Sequence, residues 1–301
     1  MTIKKRQKGG RMYPAIIDNY DAPTSVQEAL QILAKRGNES YFVAGGQSLM
    51  QAIKARVISP KNLIDLQHVT ELKGIEYNQG AVRIGAMTRY RDIAADERLN
   101  GAYQALRDAA THVGDRQVRN RGTIGGSLCW NYIAACMPPT CIGIGASLDL
   151  VSRAGRRSLL AEKFLQGPLQ TARRDDEIIV AVTLPVAPMT CGSAYKKWGL
   201  VTDALPVVGV CASVELGDDR RCRVARLAIG GLATGPRRAE PGEKALIGVS
   251  GTDTSAISNA AEIAAASTET QSDMWADDEY RKKLIETLAC DVIAAAFARA
   301  E

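Results

Sequence analysis

Two glycine-rich turns about 80 residues apart limit what this chain can fold into more than any other feature. The first reads Ala44-Gly45-Gly46-Gln47-Ser48 and the second Thr123-Ile124-Gly125-Gly126-Ser127. Each joins adjacent glycines to a small or amide polar residue, and each is placed at the end of a predicted strand or turn. Glycine lacks Cβ and tolerates positive φ, so the backbone N–H groups of such turns can approach an anion closely. Two of them on separate segments can clamp one extended, doubly anionic ligand, and a dinucleotide pyrophosphate is such a ligand. In the second turn Ile124 is expected to anchor the loop in the core, while Thr123 and Ser127 add hydroxyl donors. Neither turn is G-x-G-x-x-G and no G-x-x-x-x-G-K-[ST] occurs, so the Rossmann fingerprint and the P-loop are both absent. A single Gly-Gly reads as an ordinary structural turn; the matched pair carries the argument.

Composition sets the frame. At 301 residues the chain is long enough for two or three compact units. Its 46% hydrophobic and 24% charged residues are those of a globular protein. No run of about 18 apolar residues predicts a transmembrane helix. A net charge of +5 does not by itself argue for nucleic acid. Residues 1–11 are basic without an apolar core, which predicts a disordered extension rather than a secretory signal and makes Met12 a candidate start. The seven cysteines are odd in number, irregularly spaced and lack a C-x-x-C pair. Neither a disulfide framework nor a zinc ribbon is predicted, and a reducing cytoplasm is the expected compartment. His68 and His112 are the only histidines, so no metal site is expected. No Ser-His-Asp set or carboxylate pair stands out.

Along the chain, Thr24 or Ser25 caps a predicted helix, with Gln27 and Glu28 three residues after each as a capping box requires. Val26, Leu30 and Leu33 give its apolar stripe, and Gly37-Asn38 ends it. Residues 41–44 read as the strand that delivers the first glycine turn, and 62–66 as another. A hairpin is predicted around Asn78-Gln79-Gly80, with helices over 89–96 and 103–113. Beyond Pro188 the pattern changes: residues 193–198, 207–215 and 222–230 read as three antiparallel strands, followed by helices over 256–267 and 278–300. The expectation is an α/β region to about residue 187 and a smaller α+β region after it.

The run Gln117-Val118-Arg119-Asn120-Arg121-Gly122-Thr123-Ile124-Gly125-Gly126-Ser127-Leu128, taken with residues 44–49 and Ile84-Gly85-Ala86-Met87-Thr88, resembles the FAD-binding medium subunit of molybdenum hydroxylases. This is the flavoprotein of the carbon monoxide dehydrogenase, xanthine dehydrogenase and quinoline oxidoreductase group. Asp176-Glu177-Ile178-Ile179, Gly192-Ser193-Ala194-Tyr195-Lys196-Lys197 and residues 228–239 extend the likeness from Tyr13 almost to the C-terminus.

The resemblance implies an α+β chain: a two-part FAD domain of the PCMH, vanillyl-alcohol-oxidase-like type over 12–187, split near 66/67, then a C-terminal α+β domain over 188–301 with a three-stranded antiparallel sheet. It implies that Ala44, Gly45, Gly46, Gln47, Ser48 and Leu49, with Thr123, Ile124, Gly125, Gly126 and Ser127, hold the FAD pyrophosphate. Val113 and Gly122 would flank the cofactor, Ile179 pack near the adenine, Tyr195 lie by the isoalloxazine and Lys196 approach its polar edge. Cys136 stands where the family usually has a carboxylate that positions FAD; a thiol does not accept hydrogen bonds as a carboxylate does, so that either FAD binds more weakly or Asn131 holds it instead. The chain would pass electrons from [2Fe–2S] clusters on a small subunit through FAD to an external acceptor. A large subunit would carry the molybdopterin cofactor, in a dimer of heterotrimers. A standalone FAD-dependent oxidoreductase and a scaffold subunit that has lost FAD are the alternatives.

Overall fold

The computed structural model describes residues 16–300, so the expected basic extension over 1–11 lies outside the described residues. The first unit is a parallel sheet of β1 (Asn19–Asp21), β2 (Ser40–Val43) and β3 (Asn62–Asp65), in the order β1-β3-β2. Helices α1 (Val26–Arg36) and α2 (Leu49–Lys54) accompany it. Helix α1 starts where Ser25 Oγ accepts the Glu28 N–H at 3.1 Å, while the Glu28 carboxylate accepts the Thr24 N–H at 2.7 Å. The reciprocal cap is therefore centred on Ser25. Gly37, at φ 77°, ends the helix.

The second unit is antiparallel. Strands β4 (Ile75–Asn78) and β5 (Ala81–Gly85) form the predicted hairpin, with Gln79 and Gly80 both at positive φ. They join β6 (Ser147–Ser152), β7 (Gly155–Leu160) and β10 (Ile178–Leu184) in the order β4-β5-β10-β6-β7. A separate hairpin, β8 (Leu165–Gly167) and β9 (Gln170–Thr171), precedes β10. Six helices lie between β5 and β10: α3 (Tyr90–Ala95), α4 (Gln104–His112), α5 (Arg116–Arg121), α6 (Ile124–Trp130), α7 (Met137–Gly143) and α8 (Ala161–Phe164). Ile84, Leu106, Ile124, Leu128, Met137 and Phe164 are fully buried in their shared core. Burial of side chains of this size stabilises by about 1.5–3 kcal/mol each.

The C-terminal unit is a sheet of β11 (Cys191–Trp198), β12 (Val208–Leu216), β13 (Cys222–Gly230) and β14 (Arg237–Arg238), covered by α9 (Glu240–Leu246), α10 (Thr254–Ala266) and α11 (Asp278–Ala300). It has four strands, not the three expected. The two residues of β14 are too few to show an alternating pattern; Ala228 and Ile229 hold them across the ladder, and Arg238 pairs with the nearby Glu243 and with the distant Glu162. Successive side chains of a strand point to opposite faces. In β11 that alternation sends Tyr195 into the core of the second unit and Ala194 into the helix-covered core. One face of this sheet therefore completes the preceding unit, and the other is packed by its own helices. Among the described residues no helix is long and apolar enough to cross a membrane.

Candidate functional site

A cleft of about 1610 Å³ runs between the first two units and reaches the C-terminal sheet. Pockets for drug-sized ligands measure about 300–1,000 Å³, so this one takes a longer molecule. Both glycine motifs line it.

Residues 44–48 connect the C-terminal end of β2 to the start of α2. Among the described residues, the backbone N–H groups of Gly45, Gly46, Gln47 and Ser48 have no protein acceptor, and the Ser48 hydroxyl makes no cap bond to its helix. The loop thus presents a row of free donors at a helix start, the arrangement that suits an anion. Gly46 sits at φ 73°, which favours glycine. Gly45 is required for a different reason: a Cβ there would lie 2.1 Å from Arg121 O and 2.8 Å from Gly122 Cα. The two motifs meet backbone to backbone at this point.

The second motif is not a turn. Thr123 is the N-cap of α6, and Ile124, Gly125, Gly126 and Ser127 are its first residues. Their amides are already used: Ile124 N–H donates to Thr88 O at 3.2 Å, Gly125 to Ala86 O at 2.9 Å, Gly126 to Thr123 Oγ1 at 3.2 Å and Ser127 to Thr123 O at 3.1 Å. Unpaired donors come from the first motif, and the glycines of the second serve close packing. A Cβ on Gly125 would meet Ala86 Cβ at 2.6 Å, and one on Gly126 would meet Thr123 Oγ1 at 2.8 Å. What α6 offers an anion is its N-terminal dipole and the hydroxyls of Thr123 and Ser127.

Of the remaining expected residues, Leu49, Val113, Gly122, Cys136 and Ile179 line the cleft. Ile124 is fully buried in the core, as its anchoring role requires. Tyr195 is buried behind the wall; among the described residues its hydroxyl has no hydrogen-bond partner, and it stands beside Cys136. Lys196 does not reach the cleft: it lies on the opposite face of β11, where its ammonium pairs with Asp291 of α11 at 2.6 Å. The lysine on the cleft wall is Lys197, whose Nζ donates to Ala204 O at 2.5 Å. Successive strand residues point to opposite faces, and the alternation places Tyr195 and Lys196 on opposite sides of β11. Burial pushes the Cys136 thiol above its ordinary range, with Tyr195 and Lys197 only partly offsetting the effect, so it stays a neutral thiol. Asn131 does not replace a carboxylate in the cleft. It is fully buried at the end of α6, and its Nδ2 donates to Gly167 O and Gln170 O.

The structure adds residues that carried no local signal. Gln166, Leu169 and Gln170 of the β8–β9 hairpin, which abuts Gly235 of the C-terminal unit, and residues 203–206 of the β11–β12 connection also line the cleft. Leu30, Tyr41 and Phe42 lie at the end nearest the first sheet. Glu177, at the start of β10, also borders the cleft. Burial raises its carboxyl pKa, but the bidentate Arg157 guanidinium at 2.6 and 2.7 Å and the Arg174 N–H outweigh that and hold it below the usual value. Arg116, Arg119 and Arg121 do not line the cleft, and Arg119 donates instead to Val113 O and Gly114 O.

A long cleft with free amides at a helix start, a second helix N-terminus opposite and a two-part α+β frame defines a dinucleotide-cofactor protein. Comparison with known proteins places it further. The family model described as "FAD binding domain in molybdopterin dehydrogenase" matches residues 16–187, and "CO dehydrogenase flavoprotein C-terminal domain" matches 193–296. The chain is similar to the carbon monoxide dehydrogenase medium chain of Hydrogenophaga pseudoflava, 32% identical over 280 residues, 93% of this chain and 97% of that protein. A solved structure of carbon monoxide dehydrogenase from the same organism superposes with a TM-score of 0.89 at 32% identity, covering 96% of this chain and 99% of the other. Quinoline 2-oxidoreductase from Pseudomonas putida 86 gives 0.87 at 30% identity, covering 96% and 99%. The chain belongs to the FAD-binding flavoprotein family of molybdopterin dehydrogenases.

Proposed function

We propose that this chain is the FAD-carrying electron-transfer subunit of a heterotrimeric molybdenum hydroxylase. The carrying observation is the row of acceptor-free amides at 45–48, at the wall of a cleft long enough for a dinucleotide, in a chain of this family. Bound FAD supplies the exchange between one-electron and two-electron steps. The amides of 45–48 and the hydroxyls of Ser48, Thr123 and Ser127 bind its diphosphate. Val113 and Gly122 flank it, and Ile179 packs near the adenine. At the other end Cys136 lines the wall and Tyr195 backs it. There Lys197, not Lys196, supplies the cation that favours a negatively charged ring system.

Electrons arrive from a small subunit with [2Fe–2S] clusters, and hydroxylation takes place on a large molybdopterin subunit, in a cytoplasmic dimer of heterotrimers. The FAD domain runs over 12–187, divided near 66/67, and the C-terminal domain over 188–301. The relatives' names include both carbon monoxide and quinoline, and the compound oxidised by this assembly is chosen on another chain.

The test is a visible spectrum of the purified chain after FAD is added and the excess removed. Flavin bands at about one FAD per chain support the reading. A colourless chain from which FAD washes out, also when its iron–sulfur and molybdenum partners are present, sinks it.

A further inference from the structure

Leu169 breaks a local rule on the wall of the cleft. It is the third residue of the turn Gly167-Pro168-Leu169-Gln170, which closes the β8–β9 hairpin with Gly167 opposite Gln170. The Pro168 ring fixes φ at the second position. The third position carries φ 57°, the left-handed region that such turns give to glycine or asparagine. Leu169 gains little burial in return, since it is 58% exposed while lining the cleft.

Asn131 over-determines this geometry. It is fully buried and itself left-handed at φ 44°. Its Nδ2 donates to Gly167 O at 2.7 Å and to Gln170 O at 2.9 Å, and its own carbonyl accepts the Leu169 N–H at 3.0 Å. One buried residue thus locks both ends of the turn and the strained position between them. From the C-terminal unit, Gly235 abuts the Gly167 backbone, where a Cβ would come within 3.4 Å. Strain held in place this firmly at a ligand cleft points from the outlier to a role.

We propose that Leu169 is a shielding and specificity-determining residue of the cofactor cleft. The Asn131 clamp holds an apolar side chain at the end of the cleft nearest the C-terminal unit, where it limits the approach of small polar solutes to the bound flavin. Leucine stands at a position suited to glycine because its side chain, not its backbone, is needed there. This rests on the FAD reading above.

The experiment compares the FAD-loaded full chain with Leu169→Gly and Leu169→Asn, both of which tolerate positive φ. FAD content, quenching of flavin fluorescence by iodide and thermal melting are measured on the same preparations. Both variants are expected to keep FAD, to melt no lower than the parent, and to raise the iodide quenching constant by about twofold or more as water and solutes enter. Unchanged quenching with FAD retained overturns the proposal. So does a fall of several degrees in Tm for both variants, which makes Leu169 a packing residue. A parent chain that retains no FAD overturns the flavin reading itself, and this proposal with it.

Discussion

Gly45 shows how much one missing Cβ decides. Its substitution by alanine drives a methyl into the Arg121 carbonyl and the Gly122 Cα, both backbone atoms that no rotamer change can move aside. Gly45→Ala is expected to cost about 2–3 kcal/mol and to abolish FAD retention, read by thermal melting and by flavin content. Gly248→Ala is the control. That glycine has φ 81° and nothing within 4 Å of its hypothetical Cβ, so the strain costs about 1 kcal/mol and flavin content stays unchanged. The two lysines of β11 give a second residue-level contrast. Lys197→Met removes the cation on the cleft wall and is expected to move the flavin potential to a more negative value. Lys196→Met breaks only the exposed pair with Asp291 and leaves the potential where it was. Equal shifts in a potentiometric titration of the two variants would refute this assignment.

At the scale of elements, β10 joins the cleft to the far edge of the antiparallel sheet. Glu177, the residue before it, binds Arg157 of β7, whose guanidinium also donates to Ala172 O at 2.6 Å. The Glu177 carboxyl titrates below the ordinary value of 4.5, so its folded form prefers the charged state. Its contribution to stability is therefore complete above about pH 4.5 and disappears as pH falls through the depressed folded value. Glu177→Gln is expected to destabilise the chain by about 2 kcal/mol at neutral pH and to flatten the acid limb of the stability curve. Denaturation measured at neutral pH and well below 4.5 checks both; an unchanged acid limb counts against the pair. The helical elements carry a similar point. Gly-Gly is a poor helix former, yet α6 carries it in its first turn, because the Thr123 cap and contact with Ala86 outweigh propensity.

For the whole molecule, the joint between the FAD-binding part and the C-terminal unit is polar and specific. Asp108 of α4 accepts from Arg299 of α11 at 2.6 Å and from the Tyr195 N–H of β11 at 3.1 Å, and Arg299 also donates to Ser193 O at 2.7 Å. Arg299→Ala leaves the Asp108 carboxylate short of a partner and is expected to cost about 2 kcal/mol. Because the cleft is walled by both parts, that loss is expected to weaken FAD binding as well. Bound ligand stabilises the folded state by mass action, by about 2.7 kcal/mol at 100 times its dissociation constant. The parent chain should therefore melt several degrees higher with FAD than without. In Arg299→Ala this gain should shrink at the same FAD concentration; an undiminished gain would show that the joint does not shape the cleft.

Local features were legible in the sequence because a few neighbouring residues decide them. The Ser25–Glu28 cap, the hairpin at Gln79-Gly80, the first glycine loop and the span of α11 each follow from φ preference, capping or periodicity within one segment. The two glycine motifs also carried the likeness to a flavoprotein family that the comparisons establish. Tertiary structure decided the rest. Which lysine of β11 meets the cleft depends on which face of the sheet packs on the second unit. That the second Gly-Gly is spent on packing depends on Ala86, in a distant segment. The grip of Asn131 on a turn 36 residues away has no local signature either. Contacts of this kind join segments that the sequence keeps apart, and only the folded chain assigns each group its partner.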